Sequence, residues 1–334
     1  MKTALVVTSI AAPNAALSEL AAGAAAHAID FIVIGDEKSP GNFALANCRF
    51  FGVDAQRRLP FRLARSAPTR SYARKNIGYL VALDAGAEVV LETDDDNFPL
   101  PAFWMPRVRR RKVARIAEAG WVNVYRYFTG ANIWPRGLPL DAAAAPVPAA
   151  GPAEERDCPI QQGLANDNPD VDAIYRLLLP LPQSFQDGVT VSLGRGAWSP
   201  FNSQSTAFFR EAAPLLYLPS FCSFRMTDIW RSFVAQRIAW ANGWSILFHG
   251  PDVRQERNEH DLMRDFRDEV PGYLHNRAIG AALDELEIAG GTSAIGEGMR
   301  QCYRAMIALG VVDARELPLL EDWLADIGAL AGRS

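Results

Sequence analysis

An α/β fold with a mostly parallel central sheet is what this chain predicts, and three observations carry it. Short, continuously apolar runs recur at Ala4–Thr8, Phe31–Gly35 and Glu88–Glu92, the pattern of strands buried on both faces. Helical segments stand between them. Each strand runs straight into polar residues: Thr8 and Ser9, Asp36, and Asp94–Asp96. Repeated strand–helix–strand units bring such ends together, at the carboxyl edge where open α/β sheets bind ligands.

The helices follow from spacing and stop signals. Ala15–His27 is alanine-rich. Ser71–Ala85 carries Tyr72, Ile77, Leu80 and Val81 at helical intervals and ends at Gly86, a C-terminal glycine stop. Gly78, inside that helix, suits a close approach to a neighbour. Pro139–Asp157, rich in alanine and proline, reads as an exposed, mobile loop, so that Asp141–Glu155 is expected to be dispensable for folding. Beyond it, Met226–Ala241 reads as a helix with Thr227 or Asp228 near its start, and Trp244–Phe248 as a strand. Helical segments follow at Leu262–Leu274, Ala278–Ala289, Ile295–Leu309 and Leu317–Ala331. The expected division is therefore a catalytic domain over 1–275 and a helical C-terminal extension over 276–334.

Composition narrows the function. The 334 residues carry a net charge of −4, with 49% hydrophobic and 22% charged residues, which excludes disorder throughout. The mild acidity argues against a nucleic-acid partner. Cys48, Cys158, Cys222 and Cys302 form no C-x-x-C pair, so a cysteine zinc site is not expected and free thiols in a reducing compartment are. MKTALVVTSI reads as a first strand rather than a leader, and no apolar run of about 18 residues exists. A cytoplasmic location is the expectation. The phosphate loops G-x-G-x-x-G and G-x-x-x-x-G-K-[ST] are missing, which disfavours Rossmann dehydrogenases and P-loop enzymes.

The acidic triplet is the main functional signal. Three adjacent carboxylates repel, and a divalent cation offsets them well; a solvated acidic turn is the plain alternative. Upstream, Arg74 and Lys75 are suited to phosphate or base oxygens and Asn76 to a base or sugar, unless they are simply a surface helix. Arg107, Arg109, Arg110, Arg111, Lys112 and Arg115 form a basic run, either a solvated helix face or a peripheral contact with an anionic acceptor or membrane surface. Trp104, Trp121, Tyr125, Tyr127 and Trp134 suit core packing or sugar stacking.

The segment SYARKNIGYLVALDAGAEVVLETDDDN resembles the nucleotide-sugar half of GT-A glycosyltransferases, and more closely the STELLO proteins. PIQQGLANDNPDVDAIYRL, PFNSQST, FRMTDIWRSFVAQRIAW and VRQERNEHDLMRDF continue the likeness, which covers most of residues 1–275. A more distant likeness is to the reversibly glycosylated polypeptides, which include UDP-arabinopyranose mutases.

The resemblance implies a GT-A-like fold and a metal-dependent glycosyltransferase. It implies Mn²⁺ or Mg²⁺ on Asp94 and Asp96, with Asp95 facing the donor sugar or ribose. The donor is a nucleotide-diphosphate sugar, with UDP expected as its nucleotide, and the acceptor a glycan or glycolipid. Thr8, Ser9 and Asp36 are expected to hold the nucleoside, Arg74 and Asn76 to complete its pocket, and Arg254, with Arg257 and Asn258, to meet the diphosphate. Asp172 is expected near the donor sugar and Asp228 as general base. His260 is the favoured third metal ligand and His249 the second choice. A nucleotide-sugar mutase or self-glycosylating protein, and an inactive donor-binding regulator, are the alternatives.

Overall fold

The computed structural model describes residues 1–256 and 261–332. The first elements are β1 (Thr3–Thr8), α1 (Ala15–Ala26), β2 (Asp30–Ile34), β3 (Arg49–Phe51), α2 (Val53–Arg57), α3 (Arg62–Ser66), α4 (Lys75–Asp84) and β4 (Val89–Thr93). The middle of the chain gives β5 (Asn97–Pro99), β6 (Arg110–Ile116), β7 (Gly120–Trp121), α5 (Leu140–Ala143), β8 (Ala153–Asp157) and β9 (Ile160–Asn166). Then come α6 (Ala173–Leu178), β10 (Thr190–Leu193), β11 (Ala197–Trp198) and β12 (Ser205–Phe209). The last elements are α7 (Thr227–Ala241), β13 (Ile246–Gln255), α8 (Leu262–Asp284), α9 (Ile295–Ala308) and α10 (Glu316–Ala331).

Among the described residues one sheet dominates, in the order β3-β2-β1-β4-β12-β9-β13-β10-β6-β8, with β5 paired to β13. The first four strands are parallel. Beyond β4 the sheet is mixed: β12 runs antiparallel to β4 and β9, β9 and β13 are parallel, and β10 is antiparallel to β13. The α/β architecture thus stands, with its parallel character concentrated in the N-terminal half.

Residues on β1 and β2 alternate between two cores. Val6, Ile32 and Ile34 join the larger one beneath α4, and Leu5, Val7, Phe31 and Val33 the smaller one beneath α1. This is why both strands read as unbroken apolar runs. A Cβ on Gly78 would stand 2.5 Å from Val6 Cγ1 and 2.8 Å from Ile34 Cγ1, so only glycine lets α4 lie this close to the sheet.

Three expectations are corrected here. Pro139–Asp157 is not a loose loop. Ala142 and Ala143 of α5 are buried, Ala143 O accepts from Asn123 Nδ2 at 3.0 Å, and β8 forms the far edge of the sheet. Alanine is small enough to pack into the core, and β8 pairs by backbone, which composition does not reveal. The basic run is a strand rather than a helix. In β6, Lys112 faces Glu155 and Arg110 faces Asp157 across the pairing with β8, so neighbouring acids offset its charge. Finally, the 275/276 boundary falls inside α8, and Tyr303, Leu320 and Trp323 of the last two helices belong to the larger core. Asp326 of α10 accepts from the Arg62 and Leu63 N–H groups, each at 2.9 Å. Glu316 accepts from Ser220 N at 2.9 Å and Phe221 N at 2.7 Å. The C-terminal helices are built into the domain.

Candidate functional site

β4 is buried along its whole length and delivers Asp94, Asp95 and Asp96 to a half-buried position at its carboxyl end. The parallel register Val6↔Glu92 brings the end of β1 alongside. Ser9 Oγ donates to Asp95 Oδ2 at 2.5 Å, and Asn14 Nδ2 donates to Asp95 O at 2.8 Å. Gln255, the last residue of β13, donates from Nε2 to Asp96 Oδ1 at 3.0 Å. Asp94 Oδ1 accepts from the Tyr72 hydroxyl at 2.7 Å and lies 3.3 Å from Lys75 Nζ.

Lys75 is fully buried, and its ammonium also donates to Thr93 O and to the Tyr72 hydroxyl, both at 2.8 Å. A buried charge needs such partners to offset its lost hydration. Burial pushes the Asp95 carboxyl up from its ordinary value, against the Ser9 hydrogen bond that favours its ionised form. Burial and the Asp94 charge push the Tyr72 phenol well up, so it remains a donor at neutral pH.

The strand end is joined to the start of α7. Ser203 Oγ donates to the Tyr72 hydroxyl oxygen at 2.6 Å, and Ser203 N donates to Asp228 Oδ2 at 3.2 Å. Arg136 grips Asp228 through Nη1 and Nη2 at 3.1 and 3.0 Å. The same guanidinium grips Asp170 at 2.8 and 2.7 Å, and Asn202 Nδ2 donates to Asp170 at 2.9 Å. Burial and the Asp170 charge push the Asp228 carboxyl up, but Arg136, by charge and hydrogen bond, together with Arg231 holds it below its ordinary value. With 7% exposure and both oxygens engaged, Asp228, the expected general base, stands here as an ion-paired anchor for α7.

Several expected ligand contacts turn out to be structural. Arg74 is buried and donates to Gln56 Oε1 at 2.9 Å and Ala67 O at 3.0 Å, tying α4 to α2 and α3. Asn76 exchanges two hydrogen bonds with the Leu218 backbone, at 2.8 and 2.9 Å. Asp172 caps α6 through Tyr175 N at 2.8 Å and accepts from Trp134 Nε1 at 2.7 Å. Burial pushes its carboxyl up to about 6, against those two hydrogen bonds.

Asp36 stands half-buried at the end of β2, accepting from Ser71 N at 2.9 Å. Thr8 closes β1 beside Ile34. Arg254 lies over the Phe98 ring at 4.2 Å and pairs with Glu256. His249 is partly buried, 3.7 Å from Asp252, which also pairs with Arg107 at 2.8 Å. His260, Arg257 and Asn258 lie outside the described residues. Of the aromatics, Trp134 packs on Tyr175 and Trp121 on Trp198 and Phe233, as core residues do.

Sequence reasoning missed Tyr72, Ser203, Gln255, Arg136 and Asp170 as members of this network. Ser203 sits within PFNSQST, Tyr72 within SYARKN, Gln255 within VRQERNEHDLMRDF and Asp170 within PIQQGLANDNPDVDAIYRL, all segments that carry the resemblance. Arg136 alone carried no local signal.

Fold and site together define an α/β protein whose polar groups converge at the carboxyl ends of β1, β2 and β4, where such sheets take ligands. Residues 225–331 match the family model described as STELLO glycosyltransferases. The chain is 29% identical over 245 residues to probable glycosyltransferase STELLO2 of Arabidopsis thaliana, and 26% identical over 246 residues to probable glycosyltransferase STELLO1 of the same plant. Each alignment covers 67% of this chain and 32% of the relative, so the chain spans about a third of the length of these curated relatives. The crystal structure of a mycobacterial protein superposes with a TM-score of 0.40 at 13% identity, over 82% of this chain and 74% of that one. The chain is thus STELLO-like, and the family match extends into the C-terminal helices that the sequence resemblance had left out. Among the described residues no helix is long and apolar enough to cross a membrane.

Proposed function

We propose that this chain is a metal-dependent glycosyltransferase that moves a sugar from a nucleotide-diphosphate donor, with UDP as the expected nucleotide, to a glycan or glycolipid. The observation that carries the reading is the half-buried Asp94–Asp96 strand end, held by Ser9, Tyr72, Lys75 and Gln255 in a STELLO-like chain. Ser9 and Asp36 stand on the β1–β2 side, where the nucleoside fits.

Asp94 and Asp96 are the residues for Mn²⁺ or Mg²⁺. Among the described residues no group of three His, Cys, Asp or Glu forms a ready cage. That suits ions which keep several waters and take one or two carboxylates plus substrate phosphates. When bound, the ion neutralises charge on the leaving diphosphate. The chain's own part is to fix the carboxylates: Tyr72 and Lys75 orient Asp94, Gln255 orients Asp96, and Ser9 orients Asp95.

Mn²⁺ with UDP is therefore expected to raise the melting temperature clearly, and Mn²⁺ alone to raise it little. A ligand at 100 times its dissociation constant adds about 2.7 kcal/mol. Asp94→Ala and Asp96→Ala are expected to lose the UDP-plus-Mn²⁺ shift while remaining folded. Full shifts in both variants reject the assignment. A second reading, a donor-binding chain without turnover, draws on the ion-paired state of Asp228, since no free base stands at the α7 start. Donor binding without release of nucleotide to any acceptor favours it.

A further inference from the structure

Phe224 is the one exposed aromatic among the described residues, at 61% relative exposure; every other described phenylalanine, tryptophan and tyrosine is at least half covered. Its place is not incidental. It opens the short 3-10 turn Phe224–Met226 that leads into α7. Its ring stands edge-on to Tyr72, with centroids 6.3 Å apart, and the Tyr72 hydroxyl reaches Asp94. The turn is fixed on both sides of the ring. Ser223 Oγ donates to Asp268 O, and Arg225 pairs with Glu269 at 2.9 Å. A ring held on a tethered turn is already ordered, so a ligand that covers it gains the apolar burial with little ordering cost.

We infer that Phe224 is the stacking platform for the sugar ring that is bound on the α7 side of the Asp94–Asp96 strand end. A sugar presents a face of C–H groups and a rim of hydroxyls. The C–H face suits an aromatic ring, and the rim suits carboxylate acceptors, so a flat apolar group beside half-buried aspartates matches both. The nucleoside belongs on the opposite side, toward Ser9 and Asp36, which leaves the Phe224 side for the sugar. Tyr72 joins the two halves: its ring meets Phe224 and its hydroxyl meets Asp94. This inference rests on the nucleotide-sugar reading above and adds the residue that recognises the sugar.

The test compares UDP with a panel of UDP-sugars, each with Mn²⁺, by calorimetry on wild type, Phe224→Ala and Phe224→Trp. The ring is exposed, so both variants are expected to melt with wild type. Phe224→Ala is expected to leave UDP affinity unchanged and to weaken the preferred UDP-sugar about three- to tenfold, the range of one aromatic contact. Phe224→Trp is expected to restore it. Equal loss for UDP and UDP-sugar overturns the inference, because the ring then meets the base. Unchanged UDP-sugar affinity in Phe224→Ala also overturns it while leaving the glycosyltransferase reading intact. Wild type that binds neither UDP nor any UDP-sugar overturns both.

Discussion

At the end of β4 three adjacent carboxylates stand half-buried, each oriented from one side by Ser9, Tyr72 with Lys75, or Gln255. At the start of α7 two carboxylates, Asp170 and Asp228, are fully enclosed around one guanidinium, Arg136. One hydrogen-bonded chain through Tyr72 and the hydroxyl and N–H of Ser203 connects these regions, yet their charges are managed in opposite ways. The enclosed group is compensated internally and leaves nothing for a ligand. The strand end keeps a face toward water, as the proposed cation site requires. Buried charge that is fully paired builds structure; charge oriented but left at the surface is available for binding.

The largest expected effect tests that contrast directly. Arg136→Met leaves two buried carboxylates without their shared cation and is expected to cost about 3–5 kcal/mol in urea unfolding. Lys75→Met is expected to cost less, about 1–2 kcal/mol, because half-exposed Asp94 can be hydrated. Equal losses in the two variants break the distinction. Asp228→Asn comes next: it keeps the shape and weakens the Arg136 pairing, so a loss of about 1–3 kcal/mol is expected with donor binding intact. A fall in turnover of about 10²–10⁴ in that variant, with unchanged melting, restores the base role instead.

A pH-dependent effect sharpens the comparison with a third case, a buried carboxylate lacking a directly bound cation. Asp172 has its carboxyl raised to about 6 by burial, against an ordinary value of 3.8. A raised folded pKa favours the protonated native state. That stability is full below about pH 4 and is lost as pH rises through about 6, a drop of no more than about 3 kcal/mol. Relative to Asp172→Asn, wild type is expected to lose unfolding midpoint between pH 4 and 7. A flat difference across that range removes the assignment.

What could be read from the sequence was local. The apolar runs of β1, β2 and β4, the acidic strand end and the close-packing Gly78 each declare themselves within a few residues. The Arg136–Asp228 pair spans 92 positions and Arg136–Asp170 spans 34, and no pattern near any of these residues signals a partner. For the same reason Arg74 and Asn76 looked like ligand contacts: a polar residue beside a site motif reads alike whether it faces a ligand or a backbone carbonyl. β8 was missed because edge pairing depends on backbone groups rather than on the side chains of AEERD.

The acceptors supplied by Glu316 and Asp326 have a consequence for the order in which the chain is made. Asp326 receives the N–H groups of Arg62 and Leu63, which are translated 264 and 263 positions earlier. Until α10 leaves the ribosome, the turn that opens α3 and the backbone at Ser220 and Phe221 lack these protein partners. The parallel half can pair its strands as it is synthesised, and Arg74 already ties its loops, but the α3 opening gains its Asp326 acceptor only with α10. Closure of these loops therefore waits for α10, however early the strands of the sheet have paired.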